Sequence, residues 1–214
     1  MEKIAKIFDS SARVKIMRLF LFNDKTPYDV HDIVEKSHVS DATARREIKI
    51  LSDASFLKKK SFTKSLIIKP TKKNAKSKKK TIKKKKVNGW MLNDKFPLAK
   101  PFRELLIEGD LVGTKTLHKR FAPTGKIKML VLSGIFVKDT QRSTDMILVG
   151  DKLDMKKVER TMRNLEAEIG KELRYSIFTT EEFQYRLSMY DQHLLDIFDY
   201  PHEKVVDKMG LLES

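Results

Sequence analysis

The chain has 214 residues, a formal net charge of +16 and no cysteine, which excludes disulfide bonds, thiolate zinc sites and a cysteine nucleophile. Apolar residues make up 40% of the sequence, enough for one or two packed domains. No apolar run approaches the roughly 18–20 residues of a membrane span, and the first residues lack a signal-peptide layout. We therefore expect a cytoplasmic protein without a membrane partner.

The positive charge is concentrated in one segment. Fifteen lysines lie between Lys58 and Lys86, and no acidic residue occurs from Ala54 to Asn93. Elsewhere 30 basic residues are balanced by 29 acidic ones. A local block of this kind indicates a polyanionic partner, with nucleic acid as the first candidate.

Three helices precede this block. They are predicted at 10–22, at 28–37 and from Ser40 onward, because apolar residues recur there every three or four positions. Ser40 is the predicted N-cap of the third helix, since its hydroxyl can accept a hydrogen bond from a free amide of the first turn. The apolar stripe of the third helix comprises Ala44, Ile48 and Leu51.

Two strand-like segments, 56–62 and 87–92, flank the lysines and predict a β-hairpin with a long charged tip. Helix, helix, turn, helix and hairpin is the order of a winged helix. The stretches ARVKIMRLFLFN and VHDIVEKSHVSDATARREIKILSDASFLKK resemble prokaryotic winged helix-turn-helix transcriptional regulators. The resemblance covers about 10–92 and predicts a DNA-binding domain at 1–93.

The resemblance implies that the third helix enters the major groove of double-stranded DNA and that the lysine-rich wing, 58–86, follows the backbone. Arginine can bind guanine edges with two hydrogen bonds, whereas lysine suits phosphate. The wing has no aromatic residue between Thr63 and Val87, so it is not built to stack on single-stranded bases. The predicted DNA-binding residues are Ser40, Thr43, Arg45, Arg46, Lys49, Lys58, Lys59, Lys60, Lys78, Lys79, Lys80, Lys83, Lys84, Lys85 and Lys86.

Other interpretations of this region stay open. A run of lysines is often a solvated segment that orders only on contact with a partner. Winged helices also serve as protein-contact modules, and some bind RNA. The sequence does not decide between DNA and RNA as the partner of the wing.

The rest of the chain is predicted as a helical connector and a small α/β domain. The connector, 94–125, has short helices at about 101–108 and 114–121 that are expected to pack between two domains. Strands are predicted at 127–133, 144–149 and 172–178. One helix should follow the second strand and one long helix the third, and KVVDKMGLL is predicted as a last short helix.

The α/β domain is predicted at 126–214, and about 126–211 of it resembles the small nucleotidyltransferase fold attached to some prokaryotic winged helices. In active members a Gly-Ser pair ends the first strand, and an Asp-any-Asp motif begins the second. Here Ser133 and Gly134 stand in reversed order, Ser143 replaces the first acid, and Asp145 is the second. The third acid is expected within LRYSI, where Arg174 brings the opposite charge.

Two-metal nucleotidyl transfer needs several carboxylates to hold Mg²⁺. We therefore predict a vestigial nucleotidyltransferase site at Ser133, Gly134, Ser143 and Asp145, with no catalytic residue, metal or cofactor. Asp139 is the one further acid that could enter this site. The alternative for Asp145 is a strand-edge acid paired with Arg142 or Lys138.

The predicted fold class is α+β, a winged helix followed by a nucleotidyltransferase-like domain. The predicted function is sequence-specific binding of double-stranded DNA by a nucleoid-associated transcriptional regulator that is not an enzyme. The C-terminal domain would serve assembly or sensing, with a homodimer formed through Met189, Tyr190 and Leu194 of the long helix. A nucleotide effector has no support in the residues. The alternatives are an AMP- or NMP-transferring nucleotidyltransferase and a non-specific nucleic-acid-coating protein.

Overall fold

The computed structural model describes residues 2–68, 81–109, 112–139 and 141–210. The chain is α+β, with two separate sheets and helices around each. Lys78, Lys79 and Lys80 lie outside the described residues. In the described part of the chain, no helix combines the length and the apolar character needed to cross a membrane.

Four helices form the start of the chain, and side-chain caps define where three of them begin. The Oγ of Ser10 accepts from the Arg13 amide, and the Oγ of Ser40 accepts from the Thr43 amide. Asp29 forms a reciprocal capping box with Asp32. The helices are α1 Glu2–Ile7, α2 Ser11–Phe22, α3 Val30–Ser37 and α4 Asp41–Asp53.

A long antiparallel hairpin follows α4. Its strands are β1 Leu57–Ile68 and β2 Thr81–Leu92, each extended beyond the predicted segment toward the lysine-rich tip. Tyr28, just before α3, adds one bridge to Trp90 on β2. Buried side chains of α2, α3 and α4 pack with Leu57 and Leu92 at the base of the hairpin in one core.

The two connector helices contribute to different cores. Leu106 of α5, Ala99–Leu106, belongs to the core of α2–α4 and the hairpin. Leu117 and Phe121 of α6, Thr114–Phe121, belong to the core of the second sheet. The connector therefore packs against both parts of the chain.

The second sheet has the strand order β5-β4-β3-β6. β4 is antiparallel to β3 and parallel to β5, and a helix makes the connection that a parallel pair requires. One face of the sheet packs against α6 and α7, and the other against α8 and α9. The elements are β3 Lys126–Leu132, β4 Met146–Asp151, α7 Met155–Ile169, β5 Tyr175–Phe178, α8 Thr180–Ser188, α9 Gln192–Phe198 and β6 Glu203–Asp207.

Two helix predictions in this region are wrong. The predicted last helix is instead strand β6, because its alternating side chains pair with the otherwise open edge of β3. The predicted long helix is divided by Tyr190, which has a left-handed φ of 54°, and by Asp191, whose side chain caps α9. Leu194 is fully buried under the sheet and is unavailable for the predicted dimer contact, whereas Met189 and Tyr190 are exposed.

Helix α7 is fixed directly to α2. The buried Arg18 guanidinium donates to the carbonyl oxygen of Leu106 at 2.8 Å and to that of Glu168 at 3.1 Å. Gly170 ends α7 with a left-handed φ of 86°, and a Cβ there would lie 2.5 Å from the amide nitrogen of Leu19. The backbone of α2 therefore approaches so closely that only glycine fits at this point.

Candidate nucleic-acid interface

Helix α4 buries the predicted stripe and exposes its basic residues. Ala44, Ile48 and Leu51 are buried. The side chains of Arg45 and Arg46 are 64% and 68% exposed. Residues four and three apart share one face of a helix, so the basic residues lie mainly away from the core. Lys49 is exposed as well.

The two arginines have acidic neighbours. Nε of Arg45 lies 2.5 Å from Oδ1 of Asp41, one turn earlier, and this hydrogen bond lowers the pKa of the Asp41 carboxyl. Arg46 lies 3.2 Å from Oε1 of Glu47. The Arg45–Asp41 pair is exposed on both sides and contributes little free energy. The Glu47 carboxylate is buried and keeps other hydrogen bonds, so the exposed Arg46 guanidinium can leave it for a phosphate or a base edge.

Glu47 has partners besides Arg46. Its carboxylate is buried and accepts from Ser10 Oγ at 2.9 Å and from Arg13 Nε at 2.8 Å. Burial raises the pKa of Glu47, but the hydrogen bonds from Arg13 and Ser10 outweigh it and leave the pKa lowered. Glu47 thus ties α4 to the start of α2, and this contact does not depend on Arg46.

Ser40 and Thr43 have a structural role at the start of α4. The Ser40 hydroxyl donates to Thr43 Oγ1 at 2.8 Å and accepts from the Thr43 amide at 3.2 Å. The N-cap prediction for Ser40 is confirmed. The predicted DNA contacts of both residues stay predictions.

The hairpin lysines divide into paired and unpaired groups. Lys58 forms an ion pair with Asp94. Lys64, which the sequence did not single out, lies 2.9 Å from Asp29 Oδ2 and 2.6 Å from Asp32 Oδ1. The exposed hairpin lysines without an ion pair to any described residue are Lys59, Lys60, Lys83, Lys84, Lys85 and Lys86.

The Lys64 contact attaches the hairpin to the first turn of α3. Burial lowers the pKa of Lys64, but hydrogen bonds to Asp32 and Asp29 outweigh it and raise the pKa. Asp29, His31 and Asp32 bring potential metal-ligand atoms within 4.8 Å of one another. The ammonium group of Lys64 already contacts one oxygen of each carboxylate, so this acidic cluster serves the hairpin contact.

Asp145 directly precedes β4, at the end of the second sheet where the resemblance places a metal ligand. We call this end of the strands the sheet edge. The Asp145 side chain is fully buried, and Oδ1 accepts from the Ile135 amide at 3.1 Å. Arg174 donates from its amide and Nε to Oδ2, and from Nη2 to Oδ1 at 3.1 Å. The predicted pairing with Arg142 or Lys138 is wrong, because Arg174 reaches the acid from the start of the neighbouring strand β5.

The other residues of the predicted vestigial site are only partly brought together. Ser133 is buried at the end of β3, and its amide donates to the Asp145 carbonyl at 2.9 Å. Gly134 has a φ of 54° and lies against the Asp145 side chain. Ser143 lies farther out, with its exposed hydroxyl 3.4 Å from Asp196 of α9.

Arg142 contacts two further acids beside this site. Its Nε donates to Asp139 Oδ2 at 2.7 Å, and its Nη1 lies 3.5 Å from Asp196 Oδ1. The guanidinium also stacks on Tyr200, with its carbon 3.4 Å from the ring centroid. The hydrogen bond from Arg142 lowers the pKa of Asp139. Asp139 is therefore held by Arg142 in the arrangement that the structure describes.

A polar contact that the sequence did not predict lies next to Ser143. His193 Nε2 is 3.0 Å from Ser176 Oγ and 3.4 Å from Thr144 Oγ1. These residues come from α9, β5 and the start of β4. No spacing in the sequence indicates this contact, because it depends on how α9 packs across the sheet.

A cavity of about 480 Å³ lies where α2 and α3 meet α7. The Lys36 ammonium closes one side through a 2.8 Å ion pair with Glu172. Glu166, also in the wall, is half-buried, and burial raises its pKa. A ligand in this cavity would contact the helices before α4 and the C-terminal region together.

Comparison of the chain with protein-family models, with curated proteins and with solved structures finds no match.

Proposed function

We propose that this protein is a sequence-specific double-stranded DNA-binding regulator with a winged helix at its N-terminus. The observation that carries the proposal is helix α4, which exposes Arg45, Arg46 and Lys49 opposite its buried stripe. The adjoining hairpin carries exposed lysines. A basic helix beside a basic hairpin matches what a major groove and its flanking phosphates require.

The arginines of α4 and the lysines of the hairpin are proposed to make different contacts with DNA. The guanidinium groups of Arg45 and Arg46 can bind base edges, which supplies sequence preference. The lysines supply affinity through phosphate contacts and the release of counterions. The wing's lack of aromatic residues between Thr63 and Val87 favours duplex over single-stranded nucleic acid.

The C-terminal domain is proposed to serve assembly or sensing. Metal-dependent nucleotidyl transfer would need Asp145 to release the Arg174 guanidinium and the Ile135 amide before it could bind Mg²⁺. The cavity between α3 and α7 offers a place where a ligand could affect the DNA-binding part.

Met189 and Tyr190, both exposed between α8 and α9, are the proposed homodimer contact. Light scattering at high concentration should then show a dimer, and a monomer would contradict this part.

The test is selection from a random pool of duplex DNA, followed by binding measurements with two matched variants. Arg46→Ala removes an exposed arginine of α4, and Arg160→Ala removes an exposed arginine of α7 that does not line the cavity. We expect the full chain to enrich a motif. Arg46→Ala should weaken the enriched site by roughly tenfold or more, and random DNA less, because one base contact is lost. Arg160→Ala should leave both affinities unchanged.

Two outcomes would contradict the proposal that the protein is a sequence-specific DNA-binding regulator. Retention of DNA without any enriched motif would favour a nucleic-acid-coating protein. No retention of duplex DNA would end the proposal and leave RNA binding and nucleotide transfer as the candidates. Equal losses from Arg46→Ala on the selected and the random duplex would assign Arg46 to phosphate contact.

A further inference from the structure

A second cavity, of about 360 Å³, lies where the end of α6 meets the start of β3 and the residue that follows β6. Its lining brings together four basic side chains from these three places, His118, Lys126, Lys128 and Lys208. Among the described residues that line this cavity, none is acidic. Its volume falls within the range of about 300–1,000 Å³ that is typical of small-molecule sites. We call it the basic cavity.

A β-bulge in β3 helps to form the basic cavity. Ile127 and Met129 pair with consecutive residues of β4, so Lys128 is an extra residue between them. Ile127 and Met129 consequently enter different cores, although residues two apart in a regular strand share one face. The Lys208 amide donates to the carbonyl oxygen of Lys128 at 2.8 Å. The bulge and this hydrogen bond place two of the lysines next to each other at the cavity.

The lysines of the basic cavity have no close acidic partner. Within the described part of the chain, Lys126, Lys128 and Lys208 form no ion pair. Asp151 lies opposite Lys126 in the strand register, but its carboxylate accepts from the Thr180 amide at 3.1 Å and from the Thr180 hydroxyl at 2.9 Å. These hydrogen bonds, and after them the charges of Lys128 and Lys126, lower the pKa of Asp151. Asp151 therefore acts on the lysines only at a distance, and the cavity stays cationic.

We propose that the basic cavity binds a small molecule through its phosphate groups. Each lysine ammonium group is a compact charge with three donors, and an imidazole N–H of His118 can add a further donor. Like charges gathered around a concave surface repel one another, and a bound polyanion relieves that repulsion. The three lysines match the charge of a diphosphate group better than that of a single carboxylate.

Helix capping does not account for this set of residues. Basic side chains are favourable in the last turn of a helix, and His118 lies in the last turn of α6. Lys126, Lys128 and Lys208 belong to β3 and to the residue after β6, where no helix ends in the same way. The basic cavity shares no residue with α4 or the hairpin, so the inference does not rest on the proposed function. It gives a ligand class to the C-terminal domain.

The experiment is a calorimetric titration of the full chain with inorganic pyrophosphate at constant ionic strength. Pyrophosphate can also bind to hairpin lysines, so two double variants remove equal charge from exposed lysines at the two places. Lys126→Gln with Lys208→Gln alters the basic cavity, and Lys84→Gln with Lys86→Gln alters the hairpin. The cavity variant should weaken the binding of pyrophosphate by on the order of tenfold or more, because two charge-assisted contacts are lost. The hairpin variant should bind pyrophosphate as the wild type does.

The imidazole NMR signals give a second readout that locates the anion. The His118 signals, identified through His118→Gln, should shift as pyrophosphate saturates the protein. The signals of His31, in the first turn of α3 beside the hairpin contact, should stay in place. Absence of saturable binding, equal losses from both double variants, or shifts at His31 without shifts at His118 would overturn the proposal.

Duplex DNA separates the basic cavity from the proposed DNA interface. The cavity variant should bind duplex DNA with the affinity of the wild type, whereas the hairpin variant should bind it more weakly. An equal loss of DNA affinity in both variants would make the cavity lysines backbone contacts and contradict a small-molecule site. If the wild type binds pyrophosphate in the cavity but no duplex DNA, the proposed function fails and the inference holds.

Discussion

The hairpin and the edge of the second sheet both concentrate charge, but they use it in opposite ways. Lys83 to Lys86 project from β2 without an ion-pair partner among the described residues. At the sheet edge, Arg174 neutralises the buried Asp145. Arg142 shares its one positive charge between Asp139 and Asp196. The hairpin charges are open to an external partner, whereas the sheet-edge charges are satisfied within the fold.

The difference shows why a count of charged residues does not locate a functional site. A carboxylate that holds Mg²⁺ must have free oxygen atoms, and both oxygens of Asp145 already accept hydrogen bonds. An ammonium group that contacts DNA must likewise be free of nearby acids, as Lys84 is and Lys64 is not. The partner of each charge therefore decides between a structural and a binding role.

The largest stability effect is expected from Asp145→Asn. The substitution removes a fully buried charge from Arg174 and the Ile135 amide, and we expect a loss of about 3 kcal/mol in the free energy of unfolding. Urea denaturation measures it. Asp139→Asn, which breaks a more exposed arginine pair at the same edge, is the matched control and should cost much less. If Asp145→Asn costs as little as Asp139→Asn, the buried contact between Asp145 and Arg174 contributes little to stability, and the account is contradicted.

Gly170→Ala tests the junction between α7 and α2. The left-handed backbone and the clash with α2 should together cost about 2 kcal/mol of unfolding free energy. Gly210→Ala is the control, because Gly210 also has a positive φ, 63°, but open space around it. Thermal denaturation of both variants separates the two causes. Equal shifts would show that the close approach of α2 contributes nothing.

Lys64→Gln should have a smaller effect. The lysine and its two acids are mostly buried, with side chains 24%, 19% and 18% exposed, so loss of the ion pairs should cost about 1 kcal/mol. Lys60→Gln, an exposed and unpaired hairpin lysine, should leave the free energy of unfolding unchanged. If both variants are as stable as the wild type, the hairpin is not fastened to α3 through Lys64.

The Lys64 contribution should depend on pH in a defined direction. Burial raises the pKa of Asp29, but hydrogen bonds from the Asp32 amide and from Lys64 outweigh it and lower the pKa. Its contribution is therefore present above about pH 4 and is lost as the pH falls further. The raised pKa of Lys64 keeps its contribution until the pH rises beyond about 10.4. The stability difference between wild type and Lys64→Gln should accordingly be smaller at pH 3 than at pH 7, and an unchanged difference would contradict the ion pairs.

Sequence patterns predicted α2, α3 and α4 because local signals agree there, whereas the short helix α1 was not predicted. Around α4 the Ser40 cap and the stripe of Ala44, Ile48 and Leu51 both point to one helix. Strand β6 was missed because five residues are too few to separate the two periodicities, and its partner β3 lies far away in the sequence. The absence of a third acid in LRYSI was visible, but the pairing of Arg174 with Asp145 depends on β5 lying beside β4.

The central claim is that the exposed basic residues of α4 and the unpaired lysines of the hairpin bind duplex DNA. The most direct test is the affinity of the full chain for a random duplex over a range of salt concentrations. Phosphate contacts from Lys49 and at least two hairpin lysines predict a slope of log affinity against log salt of about −2.7 or steeper. No binding at low salt, or a slope near zero, would contradict the account.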